Sequence, residues 1–163
     1  TAALAFGGPP GAETESWNGT NWTEVNDLNT GRSFLKGAGA TNTAALAFGG
    51  STSPKQQTEL WNGTNWTEVN DLNTGRERLG GDGTSTSALA FGGNPNPGGR
   101  TESWNGTNWA EVVDMIASTQ NAGSAGASNT SALSFGGDAD GAPRTTATEE
   151  FISGSITKTI STS

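Results

Sequence analysis

The chain has 163 residues, of which 31% are hydrophobic and 25 are glycine, and its 16 acidic residues outweigh 8 basic ones for a net charge of −8. No run approaches the roughly 18 consecutive apolar residues of a membrane span, no basic segment leads into an apolar core as in a secretory signal, and an acidic chain without a basic stripe is repelled by phosphate backbones, which argues against nucleic acid as a partner. Cysteine, histidine and tyrosine are absent, which removes disulfides, the usual thiolate and imidazole metal ligands, and any Ser-His-Asp or Cys-His nucleophile system.

The length suits one domain. Thr1 stands at the head of an apolar run, which points to a processed or expressed product or to a fragment of something longer. That run, Ala-Leu-Ala-Phe-Gly-Gly at 3–8, recurs at 45–50 and 88–93, and as Ala-Leu-Ser-Phe-Gly-Gly at 132–137. Thr-Glu-x-Trp-Asn-Gly-Thr-Asn-Trp follows at 14–22, 58–66 and 101–109, so all six tryptophans occupy matched places. The fourth copy has decayed to Thr148-Glu149-Glu150-Phe151, with Ile156 where the second tryptophan would stand. Leu4, Leu46, Leu89 and Leu133 are 42, 43 and 44 residues apart, a period that suits a four-stranded blade.

Four strands fit each period. Strand a follows the Asn-Thr-Gly-Arg segment, near 33–40, 77–83 and 120–127. Strand b is the Ala-Leu-Ala-Phe run, apolar on both faces, as a strand covered on both sides must be. Gly-Gly ends it. Strand c ends at Trp17, Trp61 or Trp104, strand d begins near Trp22, Trp66 or Trp109, and Asn-Gly between them supplies the positive backbone angles of a hairpin turn. The tryptophans read as a cross-strand pair in each hairpin and as core residues in preference to sugar-stacking ones. A single blade covers neither of its faces, and stacking blades around an axis does. Alanine and glycine on the inner strands let blades crowd there; tryptophan suits the wider outer part. The reading is an all-β propeller or propeller fragment over 1–163. Its blades lie at about 1–31, 32–75, 76–118 and 119–163, with the first lacking its inner strand, for fifteen strands in all.

The diglycines Gly7-Gly8, Gly49-Gly50, Gly92-Gly93 and Gly136-Gly137, the paired aromatic hairpins, and Arg32 and Arg76 opening the next blade resemble the kelch repeat. The likeness covers essentially the whole chain. It departs in two places: tryptophan replaces the first aromatic, usually tyrosine, and Thr119 stands where a third arginine is expected. The Trp-Asn-Gly-Thr-Asn-Trp copies further resemble kelch-like proteins of marine phages and bacteria, often tail or surface proteins. The first resemblance implies six or seven blades in a closed ring, completed either by residues before Thr1 or by other chains. The second implies a virion or cell-surface location.

Length varies mostly between strands b and c: leucine to the next aromatic is 13, 15, 15 and 18 residues. These loops share one face with the d-to-a connections, and a constant frame presenting variable loops is a common way to build a binding surface; neutral drift of surface loops is the competing explanation. The candidate ligand-binding residues are Lys55, Gln57, Asn94, Asn96, Arg100, Asp138, Asp140 and Arg144. Trp17, Trp22, Trp61, Trp66, Trp104, Trp109, Gly49, Gly50, Gly92 and Gly93 are candidate structural residues.

The chemistry points away from catalysis. Kelch-like propellers include copper oxidases, but their tyrosine, cysteine and histidine are missing here. Glu15, Glu59, Glu102 and Glu149 recur in every blade, so no pair stands out for glycoside hydrolysis; they read as structural, pairing with arginines of a neighbouring blade. Asp138-Ala139-Asp140-Gly141 resembles the start of a calcium loop but fails at Ala142 and Pro143, leaving no metal or cofactor site. Asn-Gly-Thr and Asn-Trp-Thr match glycosylation acceptors, yet turn chemistry accounts for them. Two functions remain. One is a non-enzymatic recognition or adhesion module binding a glycan or protein receptor. The other is an architectural subunit packed against neighbouring subunits of a tail, fibre or surface layer.

Overall fold

The computed structural model describes residues 2–9, 11–95, 99–139 and 144–152, and the backbone of 155–158. Asn96 and Asp140, two of the candidate binding residues, lie outside the described residues. All regular structure in the described chain is β-strand. Three strands, β1 (Ala3–Phe6), β2 (Thr14–Trp17) and β3 (Trp22–Val25), form the first sheet. The second contains β4 (Lys36–Thr41), β5 (Ala44–Phe48), β6 (Thr58–Trp61) and β7 (Trp66–Glu68). The third contains β8 (Gly80–Thr84), β9 (Ser87–Phe91), β10 (Thr101–Trp104) and β11 (Trp109–Glu111). After β12 (Thr119–Gln120) come β13 (Gly123–Ser128), β14 (Ser131–Phe135), β15 (Asp138–Ala139), β16 (Thr148–Ile152) and β17 (Ser155–Lys158). Of these, β13, β14, β16 and β17 make the fourth sheet, and β12 pairs with β15 alone.

Each of the four larger sheets is an antiparallel meander. This is an all-β, β-propeller-like architecture. Among the described residues there are two strands more than the fifteen expected, because β12 and β15 are short loop segments that pair with each other. The inner strands begin at 36, 80 and 123, about three residues later than expected. The reason is local: Phe34, Arg78 and Asn121 hold left-handed φ angles of 56°, 56° and 55°, which an extended strand cannot contain.

The hairpins also differ from expectation. Trp17 pairs with Trp22, Trp61 with Trp66 and Trp104 with Trp109, so the loop between them has four residues. Only the glycine takes positive φ, at Gly19, Gly63 and Gly106. Asparagine works through its side chain: Asn18 Oδ1 accepts the N–H groups of Thr20 and Asn21, at 2.9 and 3.0 Å, and Asn62 and Asn105 repeat this. The tryptophan rings of each pair lie 5.4–5.5 Å apart.

Among the described residues, apolar side chains gather in three separate cores, one at each junction between successive sheets. At the first junction Phe6 meets Trp66 edge-on at 4.8 Å; at the second Phe48 meets Trp109 at 5.0 Å. The indole N–H of Trp66 donates to Thr14 Oγ1, and that of Trp109 to Thr58 Oγ1, both at 3.1 Å. On the inner side the phenylalanine ring needs glycine. A Cβ on Gly37 would sit 2.5 Å from the Phe6 ring, and one on Gly81 would sit 2.8 Å from Phe48. Strand burial follows from this stacking. Residues of β5 and β9 are buried on both faces, whereas β14 alternates buried and exposed because sheets lie on only one side of it.

A test of this stacking is Phe48→Ala. Phe48 has no solvent exposure, and its removal leaves a cavity between two sheets. We expect a loss of about 3–5 kcal/mol in denaturant unfolding followed by tryptophan fluorescence.

Candidate functional site

The connections β1–β2, β5–β6, β9–β10 and β14–β16 lie on the same face as the linkers between sheets, and backbone hydrogen bonds sew the two together. Each linker lies between two such loops. Leu28 and Arg32 donate N–H to Ala12 O and Gly11 O of the loop before, and Leu72 and Arg76 do so to Gln56 O and Lys55 O. On the other side Ser51 donates to Ser33 O, Glu77 and Asn94 exchange a reciprocal pair, and β12 pairs with β15. The diglycines make this contact possible. Gly8, Gly50 and Gly93 donate N–H to Arg32 O, Arg76 O and Thr119 O, at 3.1, 3.0 and 2.9 Å. Gly49 holds φ +70° with Arg76 O only 2.6 Å from where a Cβ would stand, and Gly92 is in the same position against Thr119 O.

Beneath this face, among the described residues, lie two buried ion pairs. Arg32 Nη2 contacts Glu59 Oε1 at 2.9 Å, and Arg76 Nη2 contacts Glu102 Oε1 at 3.2 Å, with all four side chains at most 1% exposed. The arginine pairs with the glutamate of the sheet that it opens, not with that of a neighbour as expected. The neighbour contributes two backbone N–H groups and an asparagine side-chain amide. Glu59 also accepts the N–H groups of Asn29 and Thr30 and the Nδ2 of Asn29, all from the linker leaving the first sheet; Glu102 takes the same bonds from Asn73 and Thr74. Burial pushes both guanidinium groups below the ordinary arginine value, and the paired glutamates oppose that shift. At the next junction Thr119 replaces the arginine. There Glu149 accepts the N–H groups of Ile116 and Ala117, each at 2.7 Å. Glu15 is exposed.

Several candidate binding residues are held by partners within the fold. Lys55 pairs with Glu77 at 3.4 Å. Gln57 donates Nε2 to Thr30 Oγ1 at 3.3 Å, and its carbonyl accepts from Arg32 at 2.6 Å. Arg100 bonds to Glu111 and Thr74. More freely displayed are Asn94, exposed beside its backbone pairing with Glu77, and the Asp138–Arg144 pair. In that pair Arg144 is 89% exposed and lies 3.4 Å from Asp138, which also accepts from Asn121 Nδ2 at 3.0 Å.

Three positions on this face escaped the sequence reading. Phe34, Arg78 and Asn121 are equivalent residues of successive linkers, and a backbone relay joins them: Arg78 N–H donates to Phe34 O and Asn121 N–H to Arg78 O, both at 2.9 Å. The guanidinium of Arg78 lies over the Phe34 ring at 4.7 Å, and Phe34 is 52% exposed. The available signal was the alignment of Arg-Ser-Phe-Leu, Arg-Glu-Arg-Leu and Thr-Gln-Asn-Ala, where the third residue changes character entirely. Non-glycine residues in left-handed backbone cluster at functional sites because the surrounding structure must hold them there.

No protein-family profile matches the chain, and no curated protein sequence matches it significantly. The solved structure of YjhT is similar in fold, with a TM-score of 0.75 at 12% identity, over 91% of this chain and 52% of that one. The chain thus spans about half the length of that structure.

The buried pair has a sharp internal control. Glu102→Ala leaves Arg76 charged, buried and unpaired, and we expect a loss of about 3–5 kcal/mol; Glu15→Ala, at the equivalent exposed position, changes stability by no more than about 0.5 kcal/mol. Urea unfolding of both variants measures the difference.

Proposed function

We propose that this chain is a non-enzymatic recognition module of kelch-like propeller type, displayed on a virion tail or cell surface, that binds a glycan or protein through its loop face. The observation that carries this reading is the relay of Phe34, Arg78 and Asn121: three different side chains presented by one fixed backbone geometry. A guanidinium stacked on an exposed aromatic ring offers a flat apolar surface edged with donors, which suits a sugar ring or a polar protein loop. Asn94, Asp138 and Arg144 extend that surface. Lys55, Gln57 and Arg100 contribute by stiffening the loops, since their bonds lie within the fold. The recurrent glutamates argue against catalysis. Glu59, Glu102 and Glu149 already accept two or more hydrogen bonds each and are buried away from the loop surface.

A second reading, an architectural subunit of a tail, fibre or surface layer, is favoured by the large apolar side chains left exposed on the first and fourth sheets, among them Trp22 and Phe135. Binding of the labelled chain to a glycan microarray and to intact cells separates the two. Phe34→Asn and Arg78→Asn keep a residue that tolerates left-handed backbone. We expect each to weaken binding about tenfold or more, in the manner of a central contact, and Arg144→Ala to weaken it several-fold, with circular dichroism unchanged. Absence of binding to both surfaces rejects the recognition reading.

A further inference from the structure

The first and fourth sheets each turn one face to solvent, and those faces are the two halves of a junction that the molecule already makes twice. At both internal aromatic junctions one sheet supplies phenylalanine and threonine from a single register pair, Phe6 with Thr14 and Phe48 with Thr58. The next sheet supplies the tryptophan that covers the ring and donates to the hydroxyl, Trp66 or Trp109. On the first sheet, Trp22 holds the tryptophan position, paired with Trp17 and 48% exposed. On the fourth, Phe135 pairs in register with Thr148 and is 45% exposed, with Leu133 and Ile152 exposed beside it.

We propose that these faces dock on each other between two copies of this chain, head to tail, with Phe135 of one copy against Trp22 of the second and the Trp22 indole N–H donating to the Thr148 hydroxyl. Complementarity argues for a second copy. The chain carries both halves of its own repeated interface, and among the described residues no strand pairing joins the first sheet to the fourth. The arc also overlays 52% of a longer chain of similar fold, so the architecture has room for about as many sheets again. A head-to-tail contact of this kind closes into a ring where the rotation allows and otherwise extends as a filament. Charge opposes the contact: Glu15, opposite Ala5 in register, lies on the first face, and Glu150, opposite Leu133, on the fourth. Association therefore strengthens with salt, as screening removes the repulsion and leaves apolar burial. The inference stands apart from recognition by the loop face, which uses different residues.

Sedimentation of the 163-residue chain over a range of concentrations tests it. The expected result is a mass rising from the 16.5 kDa of one chain to twice that or a higher multiple, more strongly at high salt. Trp22→Ala and Phe135→Ala should each weaken association by about tenfold or more, whereas Phe34→Asn leaves it unchanged. Mixing the two weakened variants should restore a one-to-one complex, because each retains the face the other lacks, an outcome that misfolding would not produce. Overturning results are a monomer under all conditions, association that neither substitution weakens, or a mixture that restores nothing.

Discussion

The structure depends on a carboxylate buried where one sheet hands over to the next. Glu59 and Glu102 each collect backbone N–H groups from the linker that leaves the previous sheet and a guanidinium from the arginine that opens their own. Removing a carboxylate from water is costly unless its lone pairs are filled, and here they are filled by groups that would otherwise be unsatisfied at the end of a linker. The arrangement fixes where the linker turns, and therefore the angle at which the next sheet begins. The same arginine accepts the diglycine N–H of the preceding sheet through its own carbonyl. A single residue thus ties the sheet it opens to the one before.

Because each sheet is held mainly by its neighbours, apolar burial is divided among junctions instead of pooled in one centre. The first two cores use one recipe, phenylalanine over an inner glycine, tryptophan from the next sheet, alanine between; at the third, Phe91 packs with Met115 and Phe151 and no tryptophan takes part. The fourth copy keeps the glutamate but has lost the arginine, and Phe151 has replaced the tryptophan that ends its third strand. Its strand β14 is covered on one face only. Stability in such an array is approximately a sum of nearest-neighbour terms, so the ends of the array are its least protected parts.

The loop face owes its form to the same stitching. Loops and linkers satisfy one another's backbone groups, which leaves their shape little freedom and places the burden of variation on side chains. Lys55, Gln57 and Arg100 are held by partners within the fold, while Phe34, Arg78, Asn121, Asn94 and Arg144 remain directed at solvent or at each other.

The repeat period, the doubly apolar second strand, the tryptophan pairs and the diglycine stops were all legible in the amino-acid order, because strand alternation and turn chemistry act between residues close along the chain. The partners of charged side chains were not. Whether Arg32 meets a glutamate of its own sheet or of the one before depends on how sheets stack, and that is set by packing across some 27 residues of intervening chain. Likewise nothing local to Phe34, Arg78 or Asn121 announces left-handed backbone; none is glycine, and the conformation is imposed by hydrogen bonds between three successive linkers. Pattern along the chain therefore determined which strands form and which faces are apolar, while only the stacking of sheets decided which polar groups are consumed in holding the frame and which are left for a partner.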